Sequence, residues 1–275
     1  MILSEQDREN FSRLVAALDP WLDRIVIVGG WAYRLYRQHP VAQQLDYPPV
    51  VTLDADVALP SRLPAGDPDL RQRLLSHGFQ EELLGDHQPP VTHYHLSSGA
   101  GGFYVEFLTP LTGSGYKRNR KPNSTMRVAG VVSQNLCHLD LLLHSPWSVD
   151  LGRTTEFPKA WAATVHIANP AAFIAQKLLM SAKRSPADRA KDILYIHDTI
   201  ETFGSSLDQI RTEWQTNLRK HLHSNAIRSI NQVIKLLFGE VNDITREAAL
   251  MAIGRRLAPR QIANVCETGL TRIFS

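Results

Sequence analysis

Apolar residues at Phe11, Leu14, Val15 and Leu18 recur at i, i+3, i+4 and i+7, which predicts an amphipathic helix over residues 4–18 with Ser4 as N-cap and Asp19-Pro20 as its stop. Arg24-Ile25-Val26-Ile27-Val28 is a β-branched run that reads as a buried strand, ending at Gly29-Gly30, with a helix over residues 31–38 behind it. Three prolines make residues 39–49 a loop. Residues 50–59 then alternate as a strand that stops at Pro60. A helix is expected over 69–77, and strands over 93–96, 103–108, 126–132 and 139–143, separated by Gly-rich or Pro-rich turns.

From Asn169 the pattern changes. Asn169-Pro170 and Ser185-Pro186 each place a capping side chain before a proline at the first helical position. Helices are predicted at 170–183, 186–203, 206–222, 225–238, 245–254 and 259–268, with no strand-like run among them. The fold class expected is α/β of the α+β kind: a mixed sheet flanked by helices over residues 1–168, then a helical bundle over 169–275.

Composition narrows the setting. The chain has 275 residues, 43% of them hydrophobic, enough for a substantial core. No apolar run approaches the roughly 18 to 20 residues needed to cross a bilayer. The first ten residues lack a basic and apolar export pattern, so the expected compartment is the cytoplasm. Cys137 and Cys266, far apart and outside any CxxC, support neither a disulfide framework nor a thiolate zinc site and read as buried small residues. The net charge of +3 is uneven: residues 1–110 carry 8 Arg and no Lys against 14 acids, and residues 111–275 carry 22 basic residues against 13 acids. The second part is therefore suited to polyanions.

The informative segment is Thr52-Leu53-Asp54-Ala55-Asp56-Val57, where two carboxylates at i and i+2 share one face of an apolar strand. Like charges so placed call for positive compensation, usually a divalent metal. Glu106, in Phe103-Tyr104-Val105-Glu106-Phe107-Leu108, is a third acid in a second apolar strand. If these strands are neighbours, three carboxylates converge and suit two magnesium ions about 3.5 to 4 Å apart, the arrangement that clamps the oxygens of a phosphoryl transfer. Val28-Gly29-Gly30 opening into a helix lets backbone N–H groups approach an anion. It matches neither the GxGxxG dinucleotide fingerprint nor the P-loop.

In combination, Gly29, Gly30, Asp54, Asp56 and Glu106 resemble the nucleotidyltransferase superfamily related to DNA polymerase β. Within it the chain looks most like the AbiEii-type nucleotidyltransferase toxins, through Gly29-Gly30-Trp31-Ala32 and a helical region with Lys177, Arg184 and Lys191-Asp192. Trp31 replaces the Ser or Thr usual after Gly-Gly, the step from Gly30 to Asp54 is long, and Tyr195 stands where that branch often has a second Asp. The resemblance implies transfer of a nucleoside monophosphate from an NTP to an acceptor hydroxyl. Asp54, Asp56 and Glu106 would be the catalytic metal ligands for two Mg2+ ions. Gly29, Gly30, Lys177, Arg184, Lys191 and Asp192 would bind the nucleotide. The basic second part favours RNA as the acceptor, for which the resemblance suggests a tRNA end, with a separate antitoxin chain as partner; no membrane partner is expected.

Lys177, Arg184 and Lys191 step by seven, which keeps them roughly on one side of their helices. Asp188 and Asp192 are also spaced to pair with Arg189 or Lys191. The basic loop Lys117–Lys121 beside Tyr116 is suited to a nucleic-acid backbone. His93-x-His95 has the spacing of a same-face strand pair, read as ordinary strand histidines, and Trp147, Trp161 and Trp214 read as core. Two other readings stand beside the leading one: a non-catalytic nucleotide or RNA-binding module of the same fold, and a small-molecule transferase of the aminoglycoside-modifying kind.

Overall fold

In a computed structural model, the structure describes residues 5–50, 52–84, 91–96, 102–113, 115–116, 123–154, 156–157 and 163–275. The chain divides into two compact units, one formed by residues 1–32 and 51–168, the other by 33–50 and 169–275.

The first unit is built on a mixed sheet. Helix α1 (Glu5–Leu18) buries Phe11, Leu14, Val15 and Leu18, the predicted stripe, and Asp19-Pro20-Trp21 closes it as a 3-10 turn. Strand β1 (Val26–Val28) is buried throughout and runs directly into helix α2 (Gly29–Tyr36). Strand β2 (Asp54–Ala58) follows, then helix α3 (Leu70–Ser76), whose first turn is held by a capping box between Asp69 and Gln72. Strands β3 (Gln80–Leu84), β4 (Val91–His95), β5 (Tyr104–Pro110), β6 (Thr125–Val128), β7 (Val131–Leu136), β8 (Trp147–Asp150) and β9 (Thr164–Ile167) complete the sheet. Its order is β3-β4-β5-β2-β1-β9-β8, with β7 also paired to β5 and β6 to β7.

Two expectations are corrected here. Residues 126–132 are not one strand: Ala129 and Gly130 both take positive φ, turning the chain between β6 and β7. Residues 139–143 form a 3-10 turn over Asp140–Leu143 in place of a strand, burying Leu141 and Leu142. A leucine run carries hydrophobicity without the period that separates strand from helix.

Trp31 is fully buried in this unit, stacked on Phe11 with ring centroids 4.1 Å apart and edge-on to Phe103 at 5.9 Å. Such aromatic pairs contribute roughly 0.5 to 1.5 kcal/mol beyond the area they bury. Trp147 is buried as expected; Trp161 lies outside the described residues.

The second unit is helical. Asn169 caps helix α4 (Pro170–Met180) by accepting from the Ala171 amide at 2.9 Å, and Ser185 caps helix α5 (Pro186–Thr202). Helix α6 (Leu207–Glu213) continues through a π turn at Trp214–Leu218, with Trp214 buried. Helices α7 (Ser224–Phe238), α8 (Asp243–Met251) and α9 (Pro259–Phe274) follow. Helix α9 packs on α5, α6, α7 and α8, so closely on α5 at Gly269 that a Cβ there would lie 2.6 Å from Ile200 Cγ2.

Residues 33–50 are stitched to α5. The Gln43 amide donates to the Thr202 carbonyl at 2.9 Å, and the Tyr33 hydroxyl donates to Asp198 Oδ2 at 2.8 Å. The Tyr47 hydroxyl donates to Glu201 Oε2. The long step between Gly30 and Asp54 is thus an excursion of the chain into the helical unit. Of the cysteines, Cys266 is buried, whereas Cys137 is only partly so, contrary to expectation.

Candidate active site

Alternation places Asp54 and Asp56 on one face of β2, with Ala55, Val57 and Ala58 buried around them. Strand β5 repeats this pattern, with Tyr104 and Glu106 half-buried and Val105 and Phe107 in the core. The two strands are parallel neighbours, with Asp54 opposite Tyr104 and Asp56 opposite Glu106. Residues some 50 positions apart in the chain are therefore side by side on one sheet face. On the other side of β2, β1 runs antiparallel with Val28 opposite Asp56, so the Gly-Gly turn begins where the acids stand.

The glycines are required by that closeness. Gly29 has φ +62, and a Cβ on it would lie 1.9 Å from Asp56 Oδ2. A Cβ on Gly30 would lie 2.3 Å from Thr52 Cγ2. Thr52 in turn donates its hydroxyl to Asp54 Oδ1. The turn and the acidic strand are one packed assembly, with the opening N–H groups of α2 beside it.

Electrostatics mark the acids as mutually repelling. Burial and the neighbouring charges of Asp56 and Asp54 push Glu106 up from its ordinary range to about 7, against a hydrogen bond from Gln134 that works the other way. Burial first, and then the same three carboxylates, hold the Tyr104 phenol well above its usual range. An all-oxygen set of mutually repelling carboxylates on one face fits a hard divalent cation.

The helical unit holds the other predicted residues. Lys177 is buried and donates to Asp192 Oδ1, while Arg184 Nε lies 3.3 Å from Asp192 Oδ2. Asp192 therefore pairs across helices; Asp188 accepts from the Ser185 hydroxyl at 2.7 Å. Two ammonium groups lie over the Tyr195 ring, Lys177 Nζ at 4.8 Å and Lys191 Nζ at 5.7 Å from its centroid. The ring is a π partner to both cations.

A family model described as Nucleotidyltransferase matches residues 7–219. The chain belongs to the nucleotidyltransferase family. No curated protein matches it. Membership implies an NTP substrate and transferase chemistry. Residues 220–275 of this nucleotidyltransferase lie beyond the match, and none of the described helices is long and apolar enough to cross a membrane.

A second polar cluster in this nucleotidyltransferase was not anticipated from its sequence. His197, Asp198 and Glu201 bring ligand-type atoms within 4.8 Å of one another. Its charge is already answered: Arg255 donates to Asp198 Oδ1, lies 3.6 Å from Glu201 Oε2, and stacks 3.5 Å over the Tyr47 ring. Burial raises Asp198, but the His197 hydrogen bond and the Arg255 charge outweigh it and leave the carboxyl below its ordinary range. Glu106 and Asp198 thus shift in opposite directions, the first beside two other carboxylates and the second beside Arg255.

Two residues beside Glu106 were also missed as site members. His93 Nε2 lies 2.7 Å from Glu106 Oε1, and Gln134 Nε2 donates to Oε2 at 3.1 Å. His93-x-His95 was visible as a same-face pair, but nothing in the sequence names its partner. The other member, His95, meets Glu82 at 2.8 Å. The basic loop 117–121 lies outside the described residues.

Proposed function

We propose that this chain is a divalent-metal-dependent nucleotidyltransferase of the DNA polymerase β-related kind, nearest the AbiEii-type branch. It would move a nucleoside monophosphate from an NTP to an acceptor hydroxyl and release pyrophosphate. The observation that carries this reading is the register of Asp56 with Glu106 across adjacent parallel strands, with Asp54 on the same face. Asp54, Asp56 and Glu106 would hold Mg2+, two ions in the full complement, which when bound supply Lewis-acid activation of the acceptor hydroxyl and neutralise phosphate charge.

The chain's own groups do the rest. Glu106, opposite Asp56, is assigned to take the acceptor proton. The Gly29-Gly30 turn offers backbone N–H groups to phosphate beside the acids. In the helical unit Arg184, on the surface, and Lys191, half-buried, are assigned to phosphate, as a fork and a point charge respectively. Lys177 and Asp192 are assigned to the same nucleotide through that pair: Lys177 anchors Asp192, which orients Arg184.

We assign the acceptor to RNA, with a tRNA end as the first candidate, on the excess of basic residues after position 110. A toxin role with a separate antitoxin chain, and a cytoplasmic address, belong to the same reading. Pyrophosphate release tests it. Purified protein with each NTP, Mg2+ and total cellular RNA is expected to release pyrophosphate, with loss on chelation and in Asp54→Asn. Release that persists in Asp54→Asn would refute the assignment of the acids.

A further inference from the structure

Both oxygens of Glu106 are engaged by side chains from different strands. At this residue β5 changes neighbours, pairing with β4 through Tyr104 and Val105 and with β7 from Leu108 onward. Continuing the register His95↔Tyr104 and Tyr94↔Val105 by one residue sets His93 opposite Glu106. Gln134 stands opposite Leu108, two residues on from Glu106 and therefore on the same face. The His93 ring is itself fixed, stacked on Tyr104 with centroids 4.4 Å apart and planes 16° from parallel.

We propose that His93 and Gln134 are positioning residues that hold the Glu106 carboxylate beside Asp56, oriented for a divalent cation before one arrives. The proposal rests on the reading of the acids given above. A glutamate side chain has several rotatable bonds, and an unsupported one loses that freedom when a metal binds. Two donors on its two oxygens remove most of that cost in advance. The choice of donor also matters. A Lys or Arg at either position would neutralise Glu106 in a permanent ion pair, as Arg255 does for Asp198, and compete with a cation. The Gln134 amide is uncharged and an imidazole can donate through Nε2–H in its neutral form, so both can orient the carboxylate while leaving its negative charge available. Partners of this type typically change metal affinity or activity by about 10- to 100-fold when removed.

The test uses the full chain with His93→Ala, Gln134→Leu and Asp56→Asn, and with His93→Gln, whose amide nitrogen reaches about as far as Nε2. Mn2+ binding without nucleotide is read by electron paramagnetic resonance, and kcat and KM for the NTP by pyrophosphate release. His93→Ala and Gln134→Leu are expected to weaken Mn2+ binding about 10-fold or more and to lower kcat by a similar factor, with KM for the NTP within about twofold. His93→Gln is expected to restore both to within about threefold of wild type. Mn2+ binding that is lost in Asp56→Asn but unchanged in His93→Ala would overturn the positioning role and leave the acids in place. A His93→Gln variant as defective as His93→Ala would also overturn it, since the donor would not be what matters. Wild-type protein that binds no Mn2+, or Asp56→Asn that binds it normally, would refute the assignment of the acids and the positioning role with it.

Discussion

The carboxylate of Asp56 occupies the space in which any side chain on Gly29 would begin, 1.9 Å from the ideal Cβ position. Gly29→Ala is therefore expected to do two kinds of damage. Its φ of +62 adds about 1 to 2 kcal/mol for a non-glycine residue. The methyl must also displace Asp56, so NMP transfer should fall at least about 10-fold, the scale of a metal ligand moved off its geometry. Denaturant melts of Gly29→Ala alone and combined with Asp56→Ala check this. Truncating Asp56 should relieve part of the destabilisation, and strict additivity would contradict the contact.

Glu106 makes stability depend on pH in the ion-free protein. Its folded value is raised to about 7 from an ordinary 4.5. The folded state holds the proton longer than the unfolded one, so this group's contribution is fully present below pH about 4.5 and is lost as pH rises to about 7. Glu106→Gln removes the loss. It should be more stable than wild type by about 1 to 3 kcal/mol above pH 7 without divalent ions, with the gap closing below pH 4.5. Thermal melts across that range measure it; a gap that widens toward acid would contradict the shift.

Lys177 and Asp192 are an ion pair removed from water, with side chains 6% and 10% exposed. Lys177→Met leaves Asp192 buried beside Arg184 and is expected to cost about 3 kcal/mol, at the low end of the range for breaking such pairs. The double variant Lys177→Met with Asp192→Leu should recover most of that loss. Chemical denaturation of the single and double variants decides it.

Arg255 lies beyond the family match yet holds Asp198, Glu201 and Tyr47 together. Arg255→Ala should destabilise the protein by about 3 kcal/mol at neutral pH, because Asp198 stays buried without its cation. Asp198 sits below its ordinary value, so its contribution is present above pH about 3.8 and fades as pH falls through the folded value. The difference between variant and wild type should therefore shrink in acid. A constant difference would assign the effect to packing alone.

Much of this was legible in the chain. Asp54, Asp56 and Glu106 stand out because strand alternation leaves an acid on an apolar face only where something holds it. The capped helices after Asn169 follow from Asn-Pro and Ser-Pro. Strand β3 was missed because Gln80–Leu84 is a mostly exposed sheet-edge strand without alternation, held by β4. The pairing of Lys177 with Asp192 was hidden for a different reason: a lysine in a helix reads as surface until the partner on the next helix is known. The same holds for His93 and Gln134, whose common target lies on a third strand.

The most direct measurement of the central claim is transfer itself. Purified protein is incubated with each α-labelled NTP, Mg2+ and total cellular RNA, beside Asp56→Asn, and the label is followed on a gel. Label is expected in RNA with at least one nucleotide, falling by 100-fold or more, about 3 kcal/mol, in the variant. Equal labelling by wild type and Asp56→Asn would contradict the assignment of these strands as the site of transfer.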